Sequence, residues 1–158
     1  MLNANLVLNA GAGDITFANT LNSFNATART LTLNSTGATT LSGAVGTTFA
    51  LGALTTNAGG TTAINGGNVT TAGSQTYNDA VTLGALTTFT VTAANSDILL
   101  PNAANNINQT ITYAVSGAGT IRDISLGNSN AAAVVPTLPA SFRNLTLNFS
   151  NAAITLPA

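Results

Sequence analysis

Lysine, glutamate, histidine, cysteine and tryptophan are all missing from this chain. Only seven of its 158 residues are charged: Asp14, Asp79, Asp97, Asp123, Arg29, Arg122 and Arg143. An ordinary soluble domain is about 25% charged; here the figure is 4%, with a net charge of −1. Each absence removes a class of function. Without histidine or cysteine there are no ligands for zinc or most transition metals, no disulfide framework and no thiolate chemistry. Without histidine or lysine a serine or threonine nucleophile has no base to activate it. Three scattered arginines cannot form the basic stripe that nucleic acid demands. The glycine pairs lack the lysine and the following helix of a phosphate-cradling loop. The longest purely apolar run, Ala131 to Val135, falls far short of the roughly 20 residues of a membrane-spanning helix. The residues after Met1 do not form a signal peptide, which needs a basic start and an apolar stretch. The expectation is a trimmed or processed segment whose export signals lie elsewhere.

Asn, Thr, Ser, Gly, Ala and the aliphatic residues make up most of the chain. Thr, Asn, Gly and Ser are poor helix formers, and the apolar residues alternate with polar ones at the period of a strand. Leu31 and Leu33 stand between Thr30, Thr32 and Asn34. Phe89 and Val91 stand between Thr88, Thr90 and Thr92. Leu145, Leu147 and Phe149 alternate with Asn144, Thr146, Asn148 and Ser150. Turn signals rich in glycine and asparagine separate these runs, at Gly11-Ala-Gly13, Gly59-Gly60, Asn65-Gly-Gly-Asn68, Ala72-Gly-Ser74 and Ser116-Gly-Ala-Gly119. The reading is all-β, with about a dozen strands of roughly 5–8 residues.

Repetition then narrows the architecture. Leu-Gly-Ala-Leu-Thr-Thr occurs at 51–56 and again at 83–88, 32 residues apart, and Thr-Thr pairs recur between 39 and 88. Recurring strand-and-turn units point to a β-solenoid in which like side chains stack into ladders. Stacked rungs lie about 4.8 Å apart, so a charge would meet its own copy, which accounts for the shortage of ionic residues. All four prolines follow residue 100 and twelve of fifteen glycines precede it. Residues 1–100 therefore read as regular solenoid coils, and 101–158 as a less regular continuation with capping or joining strands. Within the latter, 128–140 reads as a long loop or a break in the stack.

The segment Gly60–Gly84, and above all Gly73-Ser-Gln-Thr-Tyr-Asn-Asp-Ala-Val-Thr-Leu-Gly84, resembles the repeats of filamentous-haemagglutinin-type and autotransporter-type bacterial adhesins. The string Leu138-Pro-Ala-Ser-Phe-Arg-Asn-Leu-Thr-Leu-Asn148 resembles a strand unit of large repetitive bacterial surface proteins. The resemblance covers about a third of the chain. It implies a right-handed parallel β-helix, secretion to the bacterial cell surface or beyond, and a role in adhesion or display. A recognisable secretion domain is not part of the match.

The sequence nominates no catalytic, cofactor-binding or metal-binding residue. Gly11-Ala-Gly-Asp14 has the look of a single calcium β-roll repeat with the wrong spacing, and an aspartate in a turn is the plainer reading. Glycan cleavage would need carboxylates converging on a sugar, but Asp14, Asp79, Asp97 and Asp123 lie in unlike contexts. Arg122 and Asp123, adjacent on a strand, are expected on opposite faces. Most of the eight aromatic residues are expected inside the coils.

The expected role is a structural or adhesive segment of a secreted bacterial surface protein, a stalk or fibre subunit. Its expected partners are further copies or neighbouring repeats, with host-surface or glycan contact and neither nucleic acid nor a membrane span. The terminal strands, Leu2–Leu8 and Leu145–Leu156, are the expected joints. The alternative is a binder of an ordered surface, ice or polysaccharide, through threonine rows at Thr30/Thr32, Thr88/Thr90/Thr92 and Thr110/Thr112. A transmembrane barrel would want longer strands and aromatic girdles, which are not visible.

Overall fold

Threonine, valine and leucine alternate along short runs, and each run gives a strand with one face buried. A computed structural model describes residues 1–155 and contains fourteen such strands and no helix among them. Numbered in chain order, they fall into three parallel sheets. The largest holds β1 (Leu6–Gly11), β3 (Leu31–Ser35), β5 (Leu54–Thr56), β8 (Gln75–Tyr77), β11 (Ser96–Leu100), β13 (Ile121–Asn128) and β14 (Asn144–Phe149), stacked in that order. The second holds β2 (Ile15–Phe17), β4 (Ala38–Leu41), β6 (Thr61–Ile64) and β9 (Ala80–Leu83). The third holds β7 (Asn68–Thr71), β10 (Thr87–Val91) and β12 (Ile111–Val115), and bridges at Leu21–Val45, Val45–Val69 and Thr112–Thr137 extend it both ways. The chain visits the sheets in turn and then pairs with its own previous turn, so the molecule is a β-solenoid of about six turns.

Register turns the alternation into columns. The inward column of the large sheet runs Leu6, Leu31, Leu54, Gln75, Ile98, Ile124 and Leu145, with successive members 21 to 26 residues apart. The second sheet stacks Phe17, Leu41, Ile64 and Leu83. The third stacks Val69, Phe89 and Tyr113. Leu31, Leu33, Leu54, Ile98 and Leu100 are fully buried, and each such side chain contributes about 1.5–3 kcal/mol. Tyr77, Phe89 and Tyr113 form the aromatic centre of the core, with ring centroids 5.6 and 6.1 Å apart.

The coil period differs from the 32-residue separation of the repeated hexapeptide. Leu54-Thr-Thr56 is a strand of the large sheet. Its second copy instead spans the end of β9 at Leu83 and the start of β10 at Thr87. The two copies thus occupy different faces and do not stack. The strands are also more numerous and shorter than expected, some only three residues long. The 128–140 stretch is a loop, but it does not interrupt the stack. Ser129 donates to Asn105 O (2.8 Å) and Thr137 to Ile111 O (2.8 Å), and Tyr113 donates to Thr137 O (2.9 Å).

Turns are tight because backbones of adjacent coils nearly touch. Gly46 has φ +72°, and a Cβ there would sit 1.9 Å from Thr70 O, so no other residue fits without moving the coil.

Candidate functional site

The charged residues are the first place to look for chemistry, and the coiling gives each a defined setting. Asp14 lies in the turn between β1 and β2, where Oδ1 accepts the N–H of Ala38 on the next coil (2.7 Å). Asp79 is fully buried. It accepts the N–H of Gly60 (2.9 Å) and the hydroxyl of Thr62 (3.0 Å), again across one coil. Both carboxylates therefore bind one turn of the solenoid to another.

Of the remaining five charges, Arg29 makes no ion pair among the described residues, and the other four belong to one network. Ser96 pairs with Ile121 and Ile98 with Ile124, so the single residue Asp97 faces the two residues Arg122 and Asp123. This is a β-bulge, and it corrects the expectation that neighbours on a strand must point apart. Ile121 and Ile124 are both buried, while Arg122 and Asp123 are both turned outward. Arg122 grips Asp97 with Nε (2.8 Å) and Nη2. Asp123 donates its N–H to Asp97 Oδ1 (3.2 Å). Arg143 holds both oxygens of Asp123, at 3.0 and 2.6 Å, and Asn144 Nδ2 adds a bond at 2.8 Å. Hydrogen bonding from Arg143 lowers the Asp123 carboxyl from its ordinary value, and hydrogen bonding to Asp97 raises the Arg122 guanidinium. Each ion pair between rungs joins unlike charges. Charge is thus admitted into the stack where unlike charges meet, a condition that composition alone does not reveal. Asp97 is buried, the other three are exposed or half-buried, and all four are paired, so the set's chemical capacity is to fasten β11, β13 and the entry to β14.

Amides do similar work without charge. Asn34 Nδ2 donates to Asn9 Oδ1 (2.7 Å), and Asn130 Nδ2 donates to Asn106 Oδ1 (2.6 Å). Where the four-stranded sheet ends at β9, the buried Asn105 stands in for a strand. Its Oδ1 accepts Val81 N–H (2.7 Å), and its Nδ2 serves Leu100 O (2.9 Å) and Gly127 O (3.0 Å). Asn128 does the same for Ile107, accepting its N–H (3.1 Å) and donating to its carbonyl (2.8 Å). Gln75 lies in the aliphatic column with all four of its hydrogen bonds inside the core. Sequence reading missed these residues. Their signal, a partner one coil period away, becomes visible only once the period is known.

The threonine rows divide between faces. Thr88 and Thr112 stack in the third sheet and continue to Thr137, whereas Thr32 belongs to the large sheet. The outward column of the large sheet runs Val7, Thr32, Thr55, Thr76, Leu99, Ser125 and Thr146. Of the aromatics, Tyr77, Phe89 and Tyr113 fill the core as expected. Phe17, Phe142 and Phe149 pack against it only in part, Phe49 is half-buried and Phe24 is 57% exposed.

No cavity opens among the described residues, and none of them form a group of three metal-ligating side chains. Among the described residues no helix is long and apolar enough to cross a membrane. The expected terminal joints map onto β1 and β14, the two edges of the large sheet; Leu156 lies outside the described residues. No protein-family model matches the chain, and neither the curated proteins nor the solved structures contain a match.

Proposed function

We propose that this chain is a non-catalytic structural segment of a secreted bacterial surface protein, serving as a stalk or fibre element with an adhesive role. The observation that carries the reading is the uninterrupted parallel stack from β1 to β14. Each turn adds about 4.8 Å along the axis, so six turns give roughly 29 Å of stiff reach. A spacer needs this property, and it needs no pocket. The outer faces suit exposure: they offer threonine, serine and asparagine, and four of the seven charges pair with one another across the stack. The resemblance of Gly73–Gly84 to adhesin repeats points the same way. Antibodies against the chain test the proposal on the organism that makes it. Labelling of intact cells, displaced outward from the envelope, is the expected result. Labelling that appears only after lysis refutes it.

A second reading, binding to an ordered surface, draws on Thr32, Thr55 and Thr76, which are consecutive in one outward column. Leu99 follows them and ends the run. Thermal hysteresis, or retention on crystalline polysaccharide, lost in Thr55→Leu supports that reading; their absence from the native chain removes it.

A further inference from the structure

The two outermost strands of the large sheet are exposed in the same way. In an interior strand such as β3 the inward residues are fully buried. In β1 and β14 the inward residues are only half-buried, and the alternation of exposure along 6–10 repeats along 145–149. Leu6, Leu8 and Phe17 at one end, and Leu145, Leu147 and Phe149 at the other, pack on the core while keeping one side uncovered. Among the described residues no strand lies beyond β1 or β14. An open parallel edge of this kind is a template for another strand.

The sequences of the two edges indicate which strand each would accept. β1 reads Leu6-Val-Leu-Asn9 and pairs with Leu31-Thr-Leu-Asn34 of β3, residue on residue. β14 carries the same tetrapeptide as β3, Leu145-Thr-Leu-Asn148. Set on the open side of β1, a second β14 would repeat the pairs that β1 already makes: leucine on leucine twice, threonine on valine, asparagine on asparagine. The backbone is ready for it. Leu6 donates its N–H to Thr30 O on the β3 side (2.9 Å), and alternate residues of a parallel strand serve opposite neighbours. The N–H and carbonyl of Val7 therefore face the open side, and its side chain is 57% exposed. Asn34 already donates to Asn9 Oδ1, so the Asn9 amide can pass the same bond on to Asn148.

We infer that β14 of one copy of this chain pairs with β1 of a second, head to tail, in the register Leu145–Leu6, Thr146–Val7, Leu147–Leu8 and Asn148–Asn9. The joint takes the stalk reading as its starting point and adds how segments connect. It is heterologous, because β14 of one copy meets β1 of the next, and it builds an open filament.

Sedimentation velocity and negative-stain electron microscopy of the purified chain at rising concentration test the joint. Filaments that lengthen with concentration are expected. Val7→Pro removes an N–H needed only at the joint; it should leave single particles whose circular dichroism and urea midpoint match the native chain. Asn9→Asp with Asn148→Asp sets two carboxylates against each other at the joint only, since the new group at position 9 still accepts the Asn34 amide. This pair should raise the concentration for assembly about tenfold or more. Asn9→Asp with Asn148→Lys should bring assembly back. A native chain that stays monomeric throughout, filaments undisturbed by both disruptive changes, or a failed charge rescue each overturn the joint. Surface labelling is read independently. A monomeric chain found outside the cell sinks the joint alone, and filaments confined within the cell sink the stalk reading alone.

Discussion

Replacing Gln75 with leucine sets two requirements of this fold against each other. Gln75 is fully buried in the column between Leu54 and Ile98, so leucine would give that column an unbroken aliphatic run. The amide, however, ties the large sheet to the third one. Its Nε2 donates to Thr90 O (2.9 Å), Thr71 Oγ1 (3.1 Å) and Val69 O (3.3 Å), and its Oε1 accepts the Tyr77 hydroxyl (3.1 Å). Thr71 keeps its own donation to Gly73 O at 2.5 Å after the change, but the buried Tyr77 hydroxyl loses its acceptor. The two N–H groups of Nε2 are shared among three acceptors, so the amide makes the equivalent of three full hydrogen bonds at about 1 kcal/mol net each, against about 2 kcal/mol from added apolar burial. Gln75→Leu should therefore be less stable by roughly 1 kcal/mol. Tyr77→Phe on the Gln75→Leu background removes the orphaned hydroxyl and should cost less than it does in the native chain, by about 1 kcal/mol in a double-mutant cycle. Urea unfolding followed by circular dichroism measures all four proteins. A neutral or stabilising Gln75→Leu, or no coupling to Tyr77, refutes the reasoning and leaves likeness along the column as the governing rule.

Four further outcomes follow from other contacts in the stack. Gly46→Ala, which drives a methyl group into Thr70 O at a positive φ, should destabilise by about 3 kcal/mol or abolish folding, measured as a fall in urea midpoint. Asn105→Ala strands the Val81 N–H and two carbonyls in the core and should cost about 3 kcal/mol. Asn34→Ala at the exposed amide ladder should cost under about 1 kcal/mol by the same assay. Asp123 has a folded-state value below its unfolded one because of Arg143. Its stabilising effect is complete above the ordinary carboxylate value of about 4 and is lost as pH falls through the lowered folded value. Stability measured against pH should show the native chain's advantage over Asp123→Asn constant near neutrality and vanishing in acid. An advantage that persists at the acid limit would contradict it.

What could be read in the sequence follows from which signals are local. The alternation at Leu31/Leu33, Phe89/Val91 and Leu145/Leu147/Phe149 acts over a few residues and shows directly as strands β3, β10 and β14. The shortage of charge pointed correctly to stacking. The coil length was not legible, because coils vary from 21 to 26 residues, and the repeated hexapeptide crosses from one face to another. Without a period, no rule could place Arg122 beside Asp97 or Asn105 beside Val81. The bulge at Arg122–Asp123 hid the network further, since strict alternation separates the two residues that the structure puts side by side. Phe24 departs from the general expectation for the aromatic residues for a related reason. It stands in a polar setting, Asn22-Ser-Phe-Asn25, at a corner where there is no interior to fill.

Rung-on-rung stacking is open to a direct distance measurement, because the chain has no cysteine and accepts spin labels at chosen sites. Thr32 and Thr146 share one outward column and lie five steps apart in it, which puts them about 24 Å apart. Pulsed electron resonance on Thr32→Cys/Thr146→Cys, diluted into unlabelled chain, should give a single narrow distance within about 6 Å of that separation. A broad distribution, or a mean beyond about 35 Å, cannot be reconciled with parallel coils at this spacing.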